Sequence, residues 1–201
     1  MKNNLFKCIV LIVLSCATAT AQTSEKKINL TIVGGIQEYT GELGNQFFNF
    51  GNTTLKNNFM FGANASYYLS PSFDIMAMAN WGKMGIYQND TLFLKNDIAT
   101  LGIGLKYKFG IPDTFWLKPY VFVGTGSIYY DENTVEGYEW MPVAAGLGLT
   151  FQVIKNITIT YQITYAYGGK DSHDHVSEKP NNDGYLINNL GLGFNFCRGC
   201  P

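Results

Sequence analysis

The sequence predicts an all-β fold: a closed, eight-stranded, antiparallel, up-and-down transmembrane β-barrel. Three observations predict it. Eight segments between Ile28 and Phe196 alternate apolar and polar residues with period two, and none shows a helical period. In the seven segments whose faces can be assigned, the apolar parity carries no Asp, Glu, Lys or Arg between its outermost residues. A charge there costs about 2–4 kcal/mol near the bilayer middle. The opposite parity holds Thr, Asn, Gln, Gly and Lys. That set cannot form a dry soluble core, because its polar groups need partners. An open sheet in lipid leaves backbone groups unpaired, so the strands must close.

Composition agrees. Of 201 residues only 14% are charged, against about 25% in soluble domains. The net charge of −1 gives no reason to expect nucleic acid as a partner. Residues 1–21 read as a signal peptide: Lys2 and Lys7 precede the apolar run Cys8–Leu14, and Ala19-Thr20-Ala21 offers small residues for cleavage before Gln22. A rival reading acylates Cys16 as a lipoprotein, but Leu14 stands one position off the usual place. The barrel domain then covers 22–196, and 197–201 form a short tail.

The elements follow in order. The first strand, Ile28–Tyr39, puts Ile28, Leu30, Ile32 and Ile36 on one face. The second sends Phe59, Phe61, Ala63, Ala65, Tyr67 and Leu69 outward and Met60, Gly62, Asn64, Ser66 and Tyr68 inward. After the turn Ser70-Pro71-Ser72, the third sends Phe73, Ile75, Ala77, Ala79 and Trp81 outward. Its inward residues are Asp74, Met76, Met78 and Asn80. The fourth, ending at Phe109, opposes Ala99, Leu101, Ile103, Leu105 and Tyr107 to Thr100, Gly102, Gly104, Lys106 and Lys108. The fifth, near Trp116–Tyr130, is apolar on both parities; Gly124 and Gly126 are placed inward by analogy with the other paired glycines. The sixth, Trp140–Val153, sends Met141, Val143, Ala145, Leu147, Leu149 and Phe151 outward. The seventh, Ile157–Tyr167, is the clearest: Ile and Tyr alternate with Thr, Gln and Ala over a length suited to a tilted crossing. Its apolar face ends in tyrosines, which suit a membrane–water boundary. The eighth sends Leu190, Leu192, Phe194 and Phe196 outward and Asn189, Gly191, Gly193 and Asn195 inward.

The connections alternate in length. Ser70–Ser72, Gly110–Phe115 and Ile154–Asn156 are short; Thr40–Asn58, Gln88–Thr91, Asp131–Tyr138 and Gly168–Gly184 are mostly longer and polar. That is the pattern of short periplasmic turns and long extracellular loops, and an even strand count leaves both termini in the periplasm.

These residues resemble a known family, the small eight-stranded barrels related to the N-terminal domain of outer membrane protein A, in the style of Bacteroidetes-type members. The resemblance covers about Gln22–Phe196. It rests on the Ala21-Gln22 junction, the turn Tyr68-Leu69-Ser70-Pro71-Ser72-Phe73-Asp74, the strand count, and the closing Phe194-Asn195-Phe196. It implies an outer-membrane location, contact with outer-membrane lipid and lipopolysaccharide, and a terminal aromatic strand that the barrel-assembly machinery reads. Family members often continue into a peptidoglycan-binding domain. This sequence stops at Cys197-Arg198-Gly199-Cys200-Pro201, so that function is not carried over.

Candidate chemistry is sparse. His173 and His175, two apart and so aimed the same way in an extended loop, offer a transition-metal set with Asp171 or Asp174. The plainer reading, a solvated outer loop, is preferred. His175-Val176-Ser177 is similar to the His-x-Ser of lipid A deacylase barrels, with Glu178 as an orienting acid, but it lies mid-loop rather than on a strand face. Cys197 and Cys200 read as an oxidised tail more readily than as half a zinc site, since no second pair accompanies them.

The expected role is therefore non-enzymatic and needs no cofactor: structural, or presenting loops to an extracellular partner. The rivals are a narrow channel for small apolar molecules and lipid A modification. Inward Met76, Met78, Tyr68 and Lys106 argue for a filled interior. The third and fourth strands also suggest an interior ion pair. If Met76 faces Gly104 and Met78 faces Gly102, then Asp74 faces Lys106. A register shift of two substitutes Lys108.

The assignment of lipid faces has a direct test. Leu147→Arg or Ile163→Arg should block stable membrane assembly through the charge cost above. Normal heat-modifiable, protease-resistant barrels from both variants would sink it.

Overall fold

The computed structural model of the protein describes residues 27–40, 55–88, 91–109, 116–132, 135–154, 156–169 and 183–196. The expected signal peptide, the tail, and the sites at Asp171, His173, Asp174 and His175 lie outside the described residues, as do His175-Val176-Ser177 with Glu178 and the Cys197/Cys200 pair.

The strands are β1 (Ile28–Tyr39), β2 (Phe59–Tyr68), β3 (Phe73–Gln88), β4 (Thr91–Lys108), β5 (Leu117–Glu132), β6 (Val135–Ile154), β7 (Ile157–Tyr167) and β8 (Gly184–Phe196). Each pairs antiparallel with its neighbours in sequence, and β1 closes on β8 from Ile28↔Phe196 to Tyr39↔Tyr185. One mouth of the barrel therefore holds the start of β1 and the end of β8. The other, the far mouth, holds the β1–β2, β3–β4, β5–β6 and β7–β8 connections. A single helical turn, α1 (Leu55–Asn58), precedes β2, and Asn58 Nδ2 donates to the Gln37 carbonyl at 2.9 Å.

Alternation sorts the side chains as expected on most strands. Ile32 and Leu147 stand out from the wall, 67% and 66% exposed. The apolar band is edged by aromatics. Near the terminus-side mouth Phe73 meets Tyr107 at 5.2 Å and Trp116 meets Phe151 at 5.7 Å. Toward the far mouth Phe61 meets Trp81 at 6.3 Å. Two such belts around an apolar wall match the two membrane–water boundaries. Beyond Trp81 charges enter the outer wall, and Lys83 pairs with Asp97 at 3.3 Å in the open.

Two expectations need correction. The alternation places Met141 outward with Val143; it is buried inside, 3% exposed, while Trp140 points out. The cause is a register shift: Gly124 pairs with Ala144 but Gly126 pairs with Met141, so two β6 residues, Pro142 and Val143, oppose Thr125. Proline has no N–H to give a ladder and collects at such bulges. One extra residue inverts the faces of everything beyond it. Second, the pattern makes Asp131–Tyr138 a loop. β5 instead runs on to Glu132 and β6 resumes at Val135, as β3 runs to Gln88 and β4 resumes at Thr91 where the connection is expected. These hairpins project past the apolar band, where neither face meets lipid, so the lipid-facing pattern fades. The inward methionines expected from the sequence belong to a larger apolar layer. Met84, Ile86, Ile98 and Ile128 join Met76, Phe122 and Met141 in one buried apolar cluster.

Glycine makes room for that cluster. The inward faces of β4, β5 and β6 present Gly102, Gly104, Gly124, Gly126, Gly146 and Gly148. At Gly148 a Cβ would run into the ring of Tyr120, which lies across it from the paired strand. At Gly102 a Cβ would meet the Met78 methyl at 3.1 Å. Large side chains thus pack flat on bare backbone, which lets a narrow barrel fill without voids.

Gly148→Val should therefore displace Tyr120 and destabilise the barrel by about 1–3 kcal/mol. Gly34 faces outward, and the nearest atom to its Cβ position is the Met60 carbonyl oxygen at 3.9 Å. Gly34→Val should be tolerated. Urea unfolding in lipid vesicles, followed by tryptophan fluorescence, measures both; equal stability of the two variants would contradict the packing.

Candidate functional site

The lumen is built in three layers, and the strand register sets each one. Nearest the termini, β3 contributes Asp74, β4 Lys106 and Lys108, and β5 Lys118 and Tyr120; Tyr68 enters from β2. The three lysines retain 9, 8 and 8% exposure and Asp74 retains none. Lys118 follows from the inward placing of Gly124 and Gly126, because it shares their parity. Apolar residues on both faces of β5 hid that signal.

The β3–β4 ladder sets Asp74 opposite Lys106, with Met76 opposite Gly104 and Met78 opposite Gly102. The charge contact is nevertheless made by Lys108, whose Nζ donates to Asp74 Oδ1 at 2.5 Å. Lys106 instead places its Nζ 4.0 Å from the centre of the Tyr120 ring. The expected pair of Asp74 with Lys106 is thus corrected at the level of side chains, not of register. Lys108 is the diagonal neighbour of Asp74, two residues along the facing strand, and a long side chain spans that distance. Lys108 also lies 4.6 Å from the centre of the Tyr68 ring. Tyr120, held beneath Lys106, donates to Gln162 Oε1 at 2.7 Å, and Gln162 Nε2 donates to Thr164 Oγ1 at 2.7 Å.

The middle layer is the apolar cluster. Met78 packs against it, and Gln162 Nε2 reaches the Met78 sulfur at 3.5 Å. Methionine is unbranched and fills irregular space, which explains why Met60, Met76, Met78, Met84 and Met141 all turn inward.

The layer at the far mouth is acidic and tyrosine-rich. The Tyr39 hydroxyl donates to Asp183, and the Tyr185 hydroxyl donates to Glu139. The two rings meet edge to face at 5.9 Å. Glu139 and Asp183 are both fully buried. Hydroxyl-to-carboxylate bonds of this kind are among the stronger hydrogen bonds in proteins. Sequence reasoning missed this layer. Glu139 shares the parity of Met141, and only recognition of Pro142 as a bulge would have turned both inward.

The lumen is therefore basic at the terminus-side mouth and acidic at the far mouth, with an apolar septum between. Among the described residues no three His, Cys, Asp or Glu side chains converge on a metal site.

The pairing has a measurable signature. Breaking a buried charge pair leaves the surviving partner unpaired. In a double-mutant cycle of Asp74→Asn with Lys108→Met, the coupling should be about 1–3 kcal/mol and larger than that of Asp74→Asn with Lys106→Met. Urea unfolding midpoints in vesicles supply the values, and a larger coupling at Lys106 would reverse the assignment.

Comparison with known proteins bears on the whole barrel. The structure is similar to that of Neisserial surface protein A, with a TM-score of 0.56, 14% identity, and coverage of 84% of this chain and 97% of that one. It is similar to the outer membrane protein AlkL, solved in lipid bilayers, with a TM-score of 0.52, 14% identity, and coverage of 90% and 96%. It is also similar to Ail, the attachment invasion locus protein of Yersinia pestis, with a TM-score of 0.50, 15% identity, and coverage of 86% and 99%. At such identities the likeness is one of fold. No curated protein sequence matches the chain. The family model of the outer membrane protein beta-barrel domain matches residues 9–196. With that match, the closed sheet and the belted apolar wall, the chain belongs to the outer membrane protein β-barrel domain family.

Proposed function

We propose that this protein is a non-catalytic, non-conducting outer-membrane barrel with a structural or surface-interacting role. The observation that carries the reading is the septum. Met76, Met84, Ile98, Phe122, Ile128 and Met141 are all 4% exposed or less and pack together across the lumen. A continuous aqueous path needs a wide or polar bore, and eight strands enclose only enough space for side chains to fill. The role calls for no cofactor.

The same reading puts the far mouth outside the cell and both termini in the periplasm. Its support is the chain length between strands: Tyr39 to Phe59 and Tyr167 to Gly184 are long connections at one mouth, while Tyr68 to Phe73 and Ile154 to Ile157 are short ones at the other. The partners that follow are outer-membrane lipid and lipopolysaccharide along the apolar wall, the assembly machinery at the closing strand, and a surface partner at the far mouth.

Planar-bilayer recording tests the septum. Purified protein should give no steady current, and stable single-channel steps would overturn the non-conducting role in favour of a narrow channel. An epitope inserted after Gly169 should label on intact cells. An assembled barrel that labels only after permeabilisation would invert the orientation.

A further inference from the structure

We infer that the terminus-side end of the lumen is a binding site for a small oxyanion, of the chemistry of inorganic phosphate, centred on Lys106. The inference concerns the mouth opposite the proposed surface contact and stands whether or not the barrel conducts.

The argument begins with charge. Among the described residues the layer holds three ammonium groups and one carboxylate, and the charges of Asp74, Lys108 and Lys118 all act on Lys106. The other inward residues around it are neutral: Asn29, Ser66, Thr150, Gln152, Thr158 and Asn195. Lys118 has contacts of its own, and the inference does not depend on them. Asp74 gives its Oδ1 to Lys108, and its buried Oδ2 has no hydrogen-bond partner among the described residues. Lys106 is left with the face of Tyr120 as its partner, and none of its N–H groups has a hydrogen-bond acceptor on the protein among the described residues.

A ring face attracts a cation but accepts none of its hydrogen bonds fully. An ammonium carries three donors, and a residue as buried as Lys106 normally has them satisfied. It is more than nine-tenths buried, points into the lumen, and belongs to a layer with excess positive charge. An oxyanion supplies what is missing, namely several acceptor oxygens and a negative charge in one compact group. Lys108 stands at the end of β4 and Lys118 at the start of β5, and so they rim the opening through which an anion enters. The apolar septum closes the other side. Water alone can satisfy the donors but leaves the charge excess in place, and charge is the property that separates the two occupants.

The source of the oxyanion is the aqueous phase rather than a lipid headgroup, because these lysines face the lumen and the outer wall at this level carries Phe73, Tyr107 and Phe109. Both sources share the phosphate chemistry, so the experiment separates them.

The test is isothermal titration calorimetry of the full barrel in maltoside detergent, which contains no phosphate. Sodium phosphate is titrated at constant ionic strength, with sodium chloride as the blank. Wild-type protein should bind about one phosphate saturably. Lys106→Met should weaken the apparent affinity by about tenfold or more. Asp74→Asn removes the one carboxylate that repels the anion and should tighten it, a change of sign that mere loosening of the barrel does not produce. Lys83→Met, on the outer wall, should leave it unchanged. Heat-modifiable migration checks that each variant is folded. No saturable heat with wild type overturns the inference whatever the variants do. Equal affinity in wild type and Lys106→Met overturns it too. A second arm adds anionic phospholipid without free phosphate: if lipid competes with phosphate in wild type and not in Lys106→Met, the aqueous source is overturned and a headgroup takes its place.

Discussion

Everything in this structure depends on one constraint: inside hydrocarbon, a backbone N–H or C=O has no water to turn to. A sheet satisfies that condition only when its first strand finds its last. The β1–β8 ladder runs the full length of both strands, from Ile28↔Phe196 to Tyr39↔Tyr185, and removes the two edges that would otherwise face lipid. Closure then dictates the rest. Each strand has one face toward acyl chains and one toward a confined lumen, so a strict alternation of apolar and small or polar residues is the only pattern that suits both sides.

The confined lumen is where this barrel shows its individuality. Eight strands enclose too little space for large side chains on every strand. The solution is asymmetric: β4, β5 and β6 present glycine, and Tyr120, Phe122, Met78 and Met141 lie over it. That arrangement also segregates charge. Lysines gather where β4 ends and β5 begins, carboxylates gather near Tyr39 and Tyr185, and the apolar septum separates them. Buried charges of opposite sign kept at opposite ends cannot neutralise one another, so each end relies on local partners. At the far mouth these are tyrosine hydroxyls. At the terminus side they are Asp74 for Lys108 and an aromatic face for Lys106.

Legibility in the sequence followed the physics of each feature. Alternation is local and survives in one dimension, so the strand order, the lipid faces of β2, β3, β4, β7 and β8, and the inward Gly124 and Gly126 were all readable. The β3–β4 register was readable as well, because glycine opposite methionine is a volume match. The misreadings trace to two causes. Pro142 introduces a bulge, and one residue of slip turned Met141 and Glu139 to the opposite face. Past Trp81 on β3 and before Ala99 on β4, the hairpin leaves the membrane, and the contrast between faces on which the reading relied weakens.

By itself, then, the sequence determined the architecture: period two, an uncharged outer parity, small or polar residues inside, and hence a closed membrane barrel, because backbone pairing in lipid allows no alternative. It also placed Asp74 and two lysines on the same inner wall. Only the tertiary structure decided which lysine takes the carboxylate. Register fixes Cβ positions, but a lysine ammonium lies several bonds beyond its Cβ, within reach of a direct neighbour and a diagonal one alike. Tyr120, lying on Gly148 from across the sheet, offers its face to Lys106, and Lys108 closes on Asp74. That choice rests on the filling of three-dimensional space by side chains from four strands, information that no single strand carries.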